Sequence, residues 1–237
     1  KYEVNYMKQY HEILKKCALF KDFKDQDIEP LLQCLNCHTK IYKSDEFVFL
    51  SGDTIQHVGI VLDGALDLLK ENPAGNNHLI AFLGPSHIFA EGIVCTNNRI
   101  SPVSIRVKRD STILFIPYER ITKPCGNLCS YHTQIINNMM MILAEKNYNL
   151  NTKLELLMMK GMREKLAAYF LLEGKYNNSS TFQIIPNRNE LAEYLNVSRT
   201  SMCRELGRMK DDNIIDYYQN SFKIVSFDKL KDCLFER

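Results

Sequence analysis

No stretch of the chain is apolar over anything like the ~18 residues that a membrane-spanning helix needs, so none is expected. Charge of one sign is lacking too. Thirty Lys and Arg stand against 28 Asp and Glu, and the resulting +2 names no partner for the chain as a whole. Low-complexity tracts and internal repeats are absent. With 45% hydrophobic and 24% charged residues the composition is ordinary for a globular protein, which excludes a disordered chain. The segment Lys1 to Gln9 is too polar for the core of a secretory leader, so no signal peptide is expected. The 8 cysteines form no small-domain framework across 237 residues and fit a reducing cytoplasm. At ~100–200 residues per domain, the length suits one large domain or two ordinary ones.

What is present falls into regions of different periodicity. From about Tyr10 to Asn36 the apolar residues Ile13, Leu14, Cys17, Ile28, Leu31, Leu32 and Leu35 have helical spacing, broken near Asp22–Asp27. From Thr39 to about Pro117 the pattern changes to short β-branched and aromatic runs at Phe47–Leu50, Val58–Leu62, His78–Leu83, Val103–Val107 and Thr112–Ile116. Turn residues separate them, among them Ser51-Gly52-Asp53, Asp63-Gly64 and Gly84-Pro85-Ser86. Such a series indicates a β sandwich or jelly roll. Leu128 to Met159 reads as one long helix without Pro or Gly. Ile136, Met139, Leu143 and Leu150 form a seam of threes and fours, with Lys146 in the intervening position and Ile135 and Ile142 widening the stripe. A stripe this broad can serve the chain's own barrel and a second copy of the chain, so a homodimer is expected through that seam. The remainder alternates: a helix over Met162–Leu172, a strand over Thr181–Ile185, helices to Met209, a hairpin and a short terminal helix. Domain boundaries are expected at 1–127, 128–159 and 160–237.

The strongest chemical signal lies in residues 189–210. A short helix with Leu191, Ala192 and Leu195 on its inner face leads through Asn196-Val197 to a second helix, with Ser198 as its expected N-cap. This is a helix–turn–helix pattern. On the second helix Met202, Leu206 and Met209 cluster on one side, while Thr200, Ser201, Arg204, Gly207 and Arg208 lie opposite. Four basic residues (Arg199, Arg204, Arg208, Lys210) face one acid, Glu205, so charge is concentrated locally. A helix fits the major groove of double-stranded DNA, and an arginine can donate two hydrogen bonds to guanine. Arg204 is the candidate for that contact, with Thr200 and Ser201 beside it. Arg188, Arg199 and Arg208 are candidates for phosphates, which fix register. The stretch Asn213–Tyr218, a Gln219-Asn220-Ser221 turn and Phe222–Val225 read as a two-stranded wing.

These features resemble the Crp/Fnr family of bacterial transcription regulators over nearly the whole chain. The resemblance rests on Gly52-Asp53 and Gly64, on Phe89-Ala90-Glu91 where the family usually has Phe-Gly-Glu, on the long helix, and on Glu190–Leu195 with Arg204–Lys210. Pro102–Ile105 with Cys125, Cys129 and His132, and Ala144–Asn147, look like a branch common in anaerobic Firmicutes. The resemblance implies an α+β architecture: an N-terminal, cyclic-nucleotide-binding-like jelly-roll sensor, a long dimerisation helix and a C-terminal winged helix–turn–helix. It further implies a homodimer on a palindromic operator, an unknown small effector, RNA polymerase as a further partner, and no catalysis. The expected effector pocket is Phe89, Glu91, Arg99 and Ser101, closed by the long helix near Asn138 and Met141.

Two departures shape these expectations. Thr200 stands where the family often has Glu, and a hydroxyl does not accept from cytosine as a carboxylate does, so a different half-site is implied. Cyclic-nucleotide binders of the family hold the phosphate with an Arg-Ser pair, but Ser101-Pro102 occupies that place, with Arg99 two residues away. A buried phosphate without a charged partner is costly, so a cyclic nucleotide is not the expected effector. Two alternatives remain open: a cyclic-nucleotide-sensing module, and a redox or iron–sulfur regulator using Cys34, Cys37, Cys125, Cys129 or Cys203. No metal is expected, since the cysteines lack a four-ligand spacing. His57, His78 and His87, with Glu91 nearby, form no close pair of the kind a jelly-roll metalloenzyme uses, and His57 and His87 are read as capping loops.

Overall fold

The computed structural model describes residues 8–72, 77–123 and 130–235. They divide into two compact units, Lys1–Glu145 and Lys146–Arg237. The division falls inside the long helix.

The first unit begins with the expected helical segment: 3-10 turns at Lys8–Tyr10 and Ala18–Phe20, helix α1 (His11–Lys16) and helix α2 (Asp25–Cys34). The chain turns between them at Asp22, whose φ of 64° is left-handed. Of the residues with that spacing, Leu14, Cys17, Ile28, Leu31, Leu32 and Leu35 are buried, while Ile13 is half-buried.

The antiparallel sheet that follows comprises β1 (His38–Tyr42), β2 (Phe47–Phe49), β3 (His57–Glu71), β4 (Asn77–Leu83), β5 (Ile88–Phe89) and β6 (Ser104–Pro117). Its order is β1-β6-β3-β4, with β2 also on β6 and β5 on β3. Two sequence expectations change here. The runs Val103–Val107 and Thr112–Ile116 are one 14-residue strand, and Asp63-Gly64 lies within the 15-residue β3 instead of ending it. The β3–β6 register shifts at Val61/Asp63, Asp63/Ala65 and Ala65/Leu66, so both strands bend without breaking. Gly64 makes this possible. Its φ is +98°, and a Cβ there would overlap the Ser111 Oγ. Val58, Ile60, Leu66, Ile105, Val107, Ile113 and Ile116 line the core. The short helices α3 (Glu91–Val94) and α4 (Tyr118–Thr122) flank the sheet.

The long helix α5 runs from Ser130 to Met158; Leu128 and Cys129 lie outside the described residues. Its first half packs on the first unit through Ile135, Met139 and Ile142. That corrects one expectation for the dimer seam. Met139 is 4% exposed in the chain's own core, and Ile136 and Leu143 are half-buried against it. The exposed apolar residues of the helix are Met140, Met141, Leu150, Leu154 and Met158, so only Leu150 of the expected seam is fully open.

The second unit contains α6 (Met162–Tyr176), β7 (Thr181–Gln183), α7 (Arg188–Tyr194), α8 (Arg199–Asp211), β8 (Ile215–Tyr218), β9 (Ser221–Ile224) and α9 (Phe227–Asp232). The expected hairpin is a three-stranded sheet ordered β7-β9-β8. Phe170 joins α6 to the sheet, its ring centroid 4.6 Å from that of Phe222 and 6.5 Å from that of Phe182.

Candidate nucleic-acid interface and effector site

Helix α7 is started by a capping box that the sequence reading missed, although Asn187-Arg188-Asn189-Glu190 has the pattern. The Asn187 side chain accepts from the Asn189 and Glu190 amides at 2.9 and 3.1 Å, and Glu190 accepts from the Asn187 amide at 2.8 Å. At its other end Asn196 takes a left-handed φ of 51°, turning the chain toward α8. The buried Lys165 donates from Nζ to the Leu195 carbonyl at 3.1 Å, which fixes that turn from below. Ser198 holds the N-cap position of α8, but its hydroxyl makes no capping bond, contrary to expectation.

Helix α8 buries Met202, Leu206 and Met209, as the 100° spacing implied. Ser198, Arg199, Thr200, Ser201, Arg204 and Arg208 are exposed. The one acid among them is withdrawn. Glu205 is 9% exposed and accepts from Arg163 Nε at 2.6 Å and from Arg208 Nη1 at 3.1 Å. Arg163 also reaches Asp212 at 2.8 Å. The hydrogen bond to Glu205, and then that to Asp212, raises the Arg163 pKa and holds the guanidinium charged. Lys210 pairs with Asp216 at 2.7 Å. Arg199 and Arg204 form no ion pair among the described residues.

Arg188 is a correction. It was expected at a phosphate, but it braces the wing. Its Nη2 donates to the Gln219 carbonyl at 2.8 Å, and its guanidinium lies 4.7 Å over the Phe222 ring and 5.3 Å over that of Tyr217. Burial lowers its pKa.

The expected effector pocket is not assembled as such. Phe89 and Glu91 are buried side by side at the β5–α3 junction, and Ser101 is buried nearby in sequence. The Ser101 hydroxyl, however, donates to the Val103 carbonyl at 2.7 Å, and its backbone pairs with Gly52 and Asp53. Arg99, in a left-handed conformation with φ 53°, places its guanidinium 5.1 Å over the Tyr118 ring. Asn138 donates to the carbonyls of Leu19 and Lys21, both at 2.9 Å, and so ties α5 to the N-terminal helices. Met141 is 48% exposed. Among the described residues of this unit no Arg or Lys is buried, so the interior beside Glu91 offers no charged partner for a phosphate.

A cleft of about 350 Å³ lies instead against Phe49, Phe89 and Phe115, with His57, Asp53 and Gln56 at its wall. The His57 and His38 rings are 5.4 Å apart, and burial, then the neighbouring imidazole, pushes the His57 pKa down. His57 thus meets the His38 and Phe115 rings edge to face where a loop cap was expected, whereas His87 does cap its loop through the Gly84 carbonyl at 3.0 Å.

Ala90 stands where the resembling family has Gly. Its φ of 65° and ψ of 0° are left-handed, a conformation that costs an L side chain roughly 1 kcal/mol. Ala90→Gly is therefore expected to raise stability by about 0.5–1 kcal/mol, read as a higher midpoint of thermal unfolding. A lowered midpoint would contradict that conformation.

Among the described residues no three His, Cys, Asp or Glu side chains are grouped for a metal. Burial raises the thiol pKa of Cys37 and brings that of Cys17 to about 11, so both stay protonated. Cys34 and Cys203 are half-buried, and Cys125 and Cys129 lie outside the described residues.

Residues 39–125 match the cyclic nucleotide-binding domain family and residues 164–233 match the Crp-like helix-turn-helix domain family. The chain belongs to the Crp/Fnr family of transcription regulators. Among Crp/Fnr relatives, the transcriptional activator protein anr of Pseudomonas aeruginosa is 24% identical over 178 residues, 73% of this chain and 70% of that one. The cyclic AMP receptor protein of Thermus thermophilus is 22% identical over 202 residues, 85% and 89% of the two chains. The fold is that of the Thermus thermophilus catabolite activator protein, with a TM-score of 0.53 at 21% identity over 92% of this chain and 98% of that one. A CooA variant from Carboxydothermus hydrogenoformans gives 0.52 at 18% identity over 90% and 91%. These Crp/Fnr relatives lend no support to the Firmicutes branch.

Proposed function

We propose that this regulator acts as a homodimer that lays α8 of each protomer into successive major grooves of a palindromic operator. Arg204 reads a guanine, Thr200 and Ser201 contact neighbouring base edges, and Arg199 and Arg208 hold phosphates. One observation carries the reading: the outer face of α8 presents Arg199 and Arg204, which form no ion pair among the described residues, while Glu205 is turned inward onto Arg163. Double-stranded DNA is the partner this face suits. The second copy docks on the exposed apolar side of α5, around Met140, Leu150 and Leu154. RNA polymerase is the further partner on promoter DNA, and the cytoplasm the compartment.

The sensor unit binds a small effector other than a cyclic nucleotide, since among its described residues no Arg or Lys is buried to meet a phosphate, and its cleft sets Phe49, Phe89 and Phe115 beside Asp53, Gln56 and His57. The test is selection of bound fragments from a random duplex pool, with the oligomeric state measured in solution. A dimer enriching an inverted repeat with half-sites one helical turn, ~10 bp, apart is expected. A monomer that enriches nothing would end this reading.

A further inference from the structure

The second unit holds a cleft that the reading of DNA does not use. The second half of α5, α6 and the end of α7 enclose about 350 Å³, walled by Tyr148, Tyr169, Tyr176 and Tyr194 over Leu156 and Leu172. Tyr148 and Tyr176 are 65% and 89% exposed, which puts two large aromatic rings in water on the rim of one cavity. Aromatic faces so placed gain from a ring laid against them.

The charges around the cleft point to the other half of the ligand. Glu173 is the acid in its wall, and the Asn177 amide donates to its backbone carbonyl at 2.8 Å and to its Oε2 at 3.4 Å. Burial first, then the Glu173 charge, raises the Tyr169 pKa and keeps its hydroxyl protonated. Lys175 lines the cleft, and Lys153 holds its Nζ 5.0 Å over the Tyr194 ring. Neither lysine has an ion pair among the described residues. Glu173 has no ion pair among the described residues either, so two lysines against one carboxylate leave the charge around the cleft net positive, beside π faces.

We propose that this cleft binds a single-ring aromatic carboxylate, its ring packed on the tyrosines and its carboxylate met by Lys153 and Lys175. The site is separate from the sensor cleft and gives the DNA-binding unit a ligand of its own. It goes beyond the DNA reading, and it stands whether or not that reading does.

The probe is sodium benzoate, titrated calorimetrically into the full chain, with benzyl alcohol as the uncharged comparison. Saturable binding with a Kd on the order of 1 mM is expected, with benzyl alcohol weaker. Tyr176→Ala should weaken benzoate by roughly 3–10-fold. Because Tyr176 is 89% exposed, that variant should keep the wild-type unfolding midpoint. Lys153→Gln combined with Lys175→Gln should abolish the preference for benzoate over the alcohol. Absence of saturation into the tens of millimolar, as would follow if a second copy covered the cleft, overturns the proposal. So does an affinity that Tyr176→Ala leaves unchanged.

Discussion

Replacing Arg204 by alanine is expected to erase sequence discrimination while leaving the fold intact. The side chain is exposed, makes no ion pair among the described residues, and shares its face with Thr200 and Ser201. Its removal therefore leaves no buried group unpaired. A bidentate arginine–guanine contact is worth ~1–3 kcal/mol, and a dimer makes two. The preference for the selected operator over random duplex should fall by roughly 30-fold to 10⁴-fold. Arg204→Lys separates the two roles of the charge. An ammonium keeps attraction to phosphate but lacks the planar fork, so general affinity should survive and discrimination should not. An Arg204→Ala protein with undiminished operator preference would move base reading to other residues.

The second large effect is that of salt. A dimer that neutralises ~6–10 phosphates should lose ~10³–10⁵-fold in operator affinity between 50 and 200 mM salt. Two arginines are expected to affect that slope differently. Arg199 is exposed and forms no ion pair among the described residues, so Arg199→Ala should reduce the slope by ~2 in a dimer, one phosphate per protomer. Arg188 lies on Phe222 and holds Gln219, so Arg188→Ala should lower the unfolding midpoint and leave the slope nearly unchanged. Affinity indifferent to salt would refute groove docking.

The reading helix was legible from sequence because its two faces differ in chemistry at a fixed 100° spacing: Met202, Leu206 and Met209 inward, Thr200, Ser201 and Arg204 outward. The sheet was legible in kind but not in extent. Asp63-Gly64 has the composition of a turn, and only the cross-strand fit against Ser111 shows that it is a bulge within a strand. The effector pocket was the least legible element. Arg99 is aimed by a left-handed backbone and a ring at Tyr118, and Asn138 is taken by a carbonyl 119 residues away in sequence. Such directions depend on long-range contacts that no local spacing encodes. Met139 shows the same limit, since a broad stripe does not say which apolar side faces the chain's own core.

The pairing of Arg163 with Glu205 has a mechanical consequence. Arg163 sits in the first turn of α6, and Glu205 directly follows the groove-facing Arg204. Asp212, just past the end of α8, is clasped by the same guanidinium. The two helices are thus joined at two points along α8, next to the exposed Arg204 and just past its C-terminal end. On the proposed docking, a displacement of α6 would therefore be passed to the arginines of α8 through these two ion pairs.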